Sequence, residues 1–125
     1  MTNGPTVLIV DDDEGIRETM QFALEMRGYR AVTAVNGKDG LERLPHIPRP
    51  CLILLDLMMP VMDGRDFVRA LERDPALKDI PVVVVTAFGE LSESIDVRSV
   101  IAKPVPLKVL YETVQQYCCG DASKG

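Results

Sequence analysis

The sequence predicts a single α/β domain built on a five-stranded parallel sheet with helices on both faces. Three observations point there. The apolar runs at residues 7–10 (VLIV), 52–55 (LILL) and 82–85 (VVVV) are continuous rather than alternating, as strands buried on both faces require. Stretches with apolar residues at helical spacing lie between such runs. Glycine, proline and Asn-Gly or Asp-Pro pairs punctuate the joins. The resulting alternation of five strands and five helices means right-handed crossovers between parallel strands.

The elements follow in order. The run at 7–10 breaks at Asp11-Asp12-Asp13. Ile16, Met20, Ala23 and Leu24 then mark a first helix, with Asp13 and Glu14 suited to its N-terminus and Gly28 to its end. Residues 29–34 are a weaker strand, expected at a sheet edge. Asn36-Gly37 turns the chain into a short second helix ending near Leu44. A proline-rich loop, 45–50, leads into the third strand, which ends on Asp56. Pro60 and Asp63-Gly64 make a sharp loop before a third helix with Phe67, Ala70 and Leu71 on its buried stripe. The fourth strand ends on Thr86, and residues 89–96 leave room for a fourth helix of about two turns. A last strand, 99–102, ends at Lys103-Pro104. Leu107, Leu110, Tyr111, Val114 and Cys118 give the final helix a clear apolar face. Residues 1–119 are thus expected to form the domain, and 120–125 a small, polar, disordered tail.

Composition bounds the function. A chain of 125 residues buries most of its apolar surface without staples. Nineteen acidic against fourteen basic residues, a net charge of −5, argue against nucleic-acid binding by this domain. No basic segment precedes the first apolar run, which is too short for a signal peptide or a membrane span, so the chain is expected in the cytoplasm and off the membrane. The three cysteines, Cys51, Cys118 and Cys119, are odd in number and lack C-x-x-C spacing. A disulfide framework is therefore not expected, and Cys51 reads as a small hydrophobe at a strand start. His46 stands alone in its loop and reads as a surface residue.

Four strands end on residues of distinctive type: Asp11 and Asp12, Asp56, Thr86 and Lys103. If the sheet is doubly wound in the order 2-1-3-4-5, the first and third strands are neighbours at the switch point, where ligands bind in open α/β sheets. Asp11, Asp12 and Asp56 then converge, and carboxylates so crowded repel unless a cation joins them. A few oxygen ligands with an open rim favour Mg²⁺. Taken singly, each residue has a plainer reading: a helix cap for Asp12 or Asp13, a common strand residue for Thr86, a solvated strand end for Lys103 or Asp56. Those plainer readings do not predict the coincidence at four strand ends.

The motifs V-L-I-V-D-D-D, L-L-D-L-M-M-P-V-M-D-G, V-V-T-A and A-K-P resemble those of the receiver domain of bacterial two-component response regulators, of the single-receiver, chemotaxis-regulator type. The likeness runs from Pro5 to about Cys118. It implies a flavodoxin-like sheet of order 2-1-3-4-5, so that order rests on the resemblance. It also implies that Asp56 is the phosphoacceptor, and that Asp11, Asp12, Asp56 and the backbone carbonyl of Met58 bind Mg²⁺. Thr86 and Lys103 are implied to contact the phosphoryl group, and the Lys103–Pro104 bond to be cis. The implied partner is a sensor histidine kinase or phosphotransfer protein, with an unidentified protein downstream. Such a domain is no enzyme beyond its own phosphoryl transfer and slow autodephosphorylation.

Other readings fit less well. A haloacid-dehalogenase-type phosphatase needs a second aspartate two residues after the nucleophile, where this chain has Met58. A flavodoxin-like cofactor binder needs a phosphate loop where Asp11-Asp12-Asp13 would repel phosphate. Two departures from the receiver pattern point to the alternative of a protein-interaction module uncoupled from phosphorylation. Val100 replaces the usual aromatic residue three positions before the lysine, and the Thr86–Lys103 interval is shorter than usual by about one helical turn or more.

Overall fold

The computed structural model describes residues 4–56, 64–86, 99–103 and 105–123. Five parallel strands, β1 (Thr6–Val10), β2 (Arg30–Ala34), β3 (Leu52–Asp56), β4 (Val82–Thr86) and β5 (Ser99–Ala102), form one sheet in the order β2-β1-β3-β4-β5. Four α-helices are described: α1 (Glu14–Met26), α2 (Gly37–Arg43), α3 (Gly64–Glu72) and α4 (Leu107–Ser123). A 3₁₀ turn at Leu44–His46 follows α2, and His46 is exposed on it. The expected fourth helix at 89–96, the Met58 carbonyl and the Lys103–Pro104 bond lie outside the described residues.

The continuous apolar runs have their cause in the two faces of the sheet. Successive side chains of a strand point to opposite faces, so both sets must be apolar when both faces are covered. Val7, Ile9, Leu52, Leu54, Val83 and Val85 pack with Met20, Ala23 and Leu24 of α1 and with Leu110, Val114 and Cys118 of α4. Leu8, Val10, Ile53, Leu55 and Val82 face the other way, onto Leu44 and onto Phe67, Val68 and Leu71 of α3. The stripe of α3 therefore runs through Val68, and Ala70 is only half-buried. β2 lies at the edge, as its weaker apolar character predicts.

Local chemistry sets the helix ends. The Asp13 carboxylate caps α1 by accepting from the Ile16 N–H at 3.0 Å, and Asn36 caps α2 by accepting from the Asp39 N–H at 2.8 Å. Gly28 takes φ +90° just past the end of α1, a conformation that favours glycine. Gly40 lets α2 approach the sheet closely, since a Cβ there would stand 3.1 Å from the Phe67 ring and 3.2 Å from Val10. α4 continues to Ser123, beyond the expected end at Gly120. The Arg27 guanidinium lies 3.8 Å from the centre of the Tyr111 ring, joining the end of α1 to α4.

One expectation is overturned. Cys51 and Cys118 form a disulfide, with their Cα atoms 5.4 Å apart at a sequence separation of 67. Cysteine spacing signals local pairings only. These two meet because α4 crosses the sheet over the start of β3, and no sequence interval encodes that crossing.

Candidate functional site

β1 and β3 are neighbours although β2 intervenes in the sequence, so the chain departs in opposite directions after their carboxyl ends. A crevice opens at such a switch point. Val10 pairs with Leu55, which sets Asp11 beside Asp56. Asp56 pairs with Val85 and Thr86 with Ala102, so Thr86 and Lys103 extend the same row of strand ends. Asp11, Asp56 and Thr86 are buried, and Asp12 is exposed at the rim.

Carboxylate oxygens of Asp11, Asp12 and Asp56 all lie within 4.8 Å of one another. Lys103 reaches into this cluster: its Nζ stands 3.0 Å from Asp11 Oδ2 and 3.6 Å from Asp56 Oδ2. With the lysine side chain only 16% exposed, a single cation offsets the repulsion of two buried anions. The strand ends hold it there, since the Lys103 N–H donates to the Thr86 carbonyl at 2.8 Å.

Asp11 is fixed from several sides. Its Oδ1 accepts from the Asp13 N–H at 2.9 Å, its own N–H donates to the Ala34 carbonyl at 3.2 Å, and its carbonyl accepts from Arg17 at 2.8 Å. Arg17 was not legible as a positioning residue, because an arginine in a first helical turn usually points to water. Its signal is structural only. The triple aspartate thus divides its work: Asp11 faces inward, Asp12 stays open at the rim, and Asp13 caps the helix.

The donor set is all oxygen, two of its three carboxylates are buried, and the rim is open. That suits a small hard divalent cation retaining several waters. Beside it, an apolar cleft of about 350 Å³ between α1 and the start of α4 is lined by Ile16, Met20, Lys103, Val105 and Leu110, among others.

The sequence-predicted residues Asp11, Asp12, Asp56, Thr86 and Lys103 therefore lie along adjoining strand ends. Met58 is outside the described residues. Val100 is half-buried on β5, opposite Val84.

Residues 7–115 match the family model for the response regulator receiver domain. The polar-differentiation response regulator DivK of Brucella anthropi is 33% identical over 122 residues, covering 94% of this chain and 98% of that protein. The phosphate regulon regulator PhoB of Pseudomonas aeruginosa is 44% identical over 87 residues, or 70% of this chain. There the match spans 38% of the relative's length, and it spans 37% of the DNA-binding regulator RpaA of Synechocystis. Among solved structures, the chemotaxis protein CheY4 of Vibrio cholerae superposes with a TM-score of 0.82 at 29% identity, over 91% of this chain and 98% of that one. A receiver protein of Pseudomonas putida gives a TM-score of 0.83 at 28% identity, covering 93% and 99%. Receiver domains are signalling modules that bind Mg²⁺ through an acidic pocket and work with histidine kinases or phosphotransfer proteins. This chain belongs to that family, the phosphoacceptor receivers of two-component response regulators.

Proposed function

We propose that Asp56 accepts the phosphoryl group, and that Asp11, Asp12, Asp56 and the Met58 carbonyl hold Mg²⁺ beside it. The observation that carries this reading is Lys103 Nζ, set between the Asp11 and Asp56 carboxylates at the mouth of the switch point. A carboxylate oxygen of Asp56 attacks phosphorus in line, and the donor's phosphohistidine nitrogen leaves with the P–N electron pair. The product is an acyl phosphate. In this reading Lys103 neutralises charge developing on the transferred group, and the Thr86 hydroxyl donates to one of its oxygens. Asp11, Asp12 and Asp56 would hold Mg²⁺, which would supply positive charge to offset that of the crowded carboxylates and the incoming phosphoryl group. Asp11, fixed by the Asp13 N–H and by Arg17, keeps its carboxylate aimed at that position.

The donor in this reading is a sensor histidine kinase or phosphotransfer protein, which places the chain in the cytoplasm. The net charge of −5 disfavours nucleic acid as a direct partner of this domain. Loss of the phosphoryl group by autodephosphorylation is slow. A second reading, an interaction module uncoupled from phosphorylation, is favoured by Val100 and by the short Thr86–Lys103 interval.

The test is phosphoryl uptake from acetyl phosphate, followed by intact mass with and without Mg²⁺. Stoichiometric uptake that requires Mg²⁺ supports the assignment. Equal uptake after chelation overturns the metal role, and no uptake under either condition favours the uncoupled module.

A further inference from the structure

We propose that Cys51 and Cys118 form a reversible thiol–disulfide site, oxidised by low-molecular-weight disulfides, that pins the last helix to the strand carrying Asp56. The two Cα atoms, 5.4 Å apart, need no backbone movement to bridge. The sulfurs differ in access. Cys51 is half-buried just before β3, whereas Cys118 is 3% exposed within the core between α4 and the sheet. Cys51 is thus the thiol a reagent meets, and Cys118 the one that resolves.

The reduced state is accommodated as well. Cys51 Sγ lies 3.3 Å from the Thr6 carbonyl, a contact in which the thiol has a proton to donate and the disulfide has none. Opening the bond leaves no buried thiol donor stranded at Cys51. Nor does the fold need the staple, since the core packs on both faces of the sheet and Leu110 and Val114 seat α4 without it. In a reducing cytoplasm, a bridge the fold does not require is more often a sensor than a brace. That step rests on the cytoplasmic placement proposed above.

The exchange balances with the oxidant named. Cys51 thiolate attacks one sulfur of a glutathione-type disulfide and expels one thiolate. Cys118 thiolate then attacks Cys51 sulfur in the mixed disulfide and expels the second. The two protein protons leave on the two small thiols. The loop so closed contains Asp56, Thr86 and Lys103. Cys51 nevertheless lies roughly 17 Å along the strand from Asp56, five residues at about 3.3 Å each, so oxidation acts on α4 and not on the acceptor chemistry.

The full chain, equilibrated in glutathione buffers of graded poise, is quenched by alkylation and read by peptide mass and thermal melts. The expected result is a Cys51–Cys118 crosslink that forms and reverses with the buffer, persists in Cys119→Ser, and raises Tm by roughly 10 °C or more. Cys51→Ala and Cys118→Ala should abolish both the crosslink and the shift. A pair that stays reduced in oxidised glutathione, a bridge that glutathione cannot open in the folded chain, or a crosslink through Cys119 would overturn the proposal. The wild-type titration decides the matter even if a variant fails to fold. Acetyl phosphate uptake on the same samples reports on Asp56 alone, so failure there counts against the phosphoacceptor reading and leaves the thiol result standing.

Discussion

Asp11 and Asp56 are the only buried carboxylates among the described residues, and Lys103 is the cation between them. Removing one member of a buried charge set leaves the others uncompensated, which typically costs about 3–5 kcal/mol. Lys103→Met should therefore destabilise the metal-free protein by about 3 kcal/mol, and by less with Mg²⁺ present, because a second cation then serves the same carboxylates. Denaturant melts with and without Mg²⁺ check this, and an equal loss in both would contradict it. Asp12, exposed at the rim, adds repulsion without being needed for the fold, so Asp12→Asn should raise the metal-free Tm slightly while weakening Mg²⁺ binding. Met58 bears on lifetime. Its thioether cannot orient an attacking water as an amide can, so Met58→Asn should speed loss of phosphate several-fold. Unchanged or slower loss, followed by intact mass over time, would rule that out.

At the scale of elements, β5 decides how the site could speak to a partner. Its Val100 is half-buried and pairs with Val84. Burying a valine releases less free energy than burying an aromatic ring, so its rotamer biases the surface weakly. A beryllofluoride phosphoryl mimic should therefore protect amides near 58–61 and 87–89 while changing 89–102 little, and should not drive dimerisation. Strong new protection across 89–102 with a concentration-dependent dimer would show that the usual output route survives. The elements themselves were largely legible. Runs such as VLIV and LILL suit doubly covered strands, being short, bounded by punctuation and flanked by helical stripes, and Asn36-Gly37 marked the turn into α2. The boundary of α4 was not, because Gly120 reads as a stop whereas the helix runs past it to Ser123. Arg17 and the Cys51–Cys118 bridge were illegible for a related reason. Each depends on which segments cross in space, and sequence spacing records only neighbours along the chain.

At the scale of the molecule, the strand order brings Asp11 to Asp56, and that order came from the likeness of four motifs to a family rather than from periodicity. Periodicity alone gives five strands and leaves their arrangement open. Once the order is fixed, the whole fold becomes a device for crowding acidic groups at one end of a sheet. Mg²⁺ binds the native cluster and not the unfolded chain, so at ten times its dissociation constant it should add about 1.4 kcal/mol of stability, a Tm rise of roughly 4–6 °C. A melt that ignores Mg²⁺ would contradict the proposed metal site. The central claim is narrower still: one carboxylate, at the end of β3, takes the phosphoryl group. Borohydride reduction after acetyl phosphate and Mg²⁺ converts an aspartyl phosphate to homoserine, which peptide mass locates. The account predicts homoserine at position 56 in the parent chain and no phosphoryl uptake by Asp56→Asn; reduction product at another aspartate, or equal uptake by the variant, would contradict it.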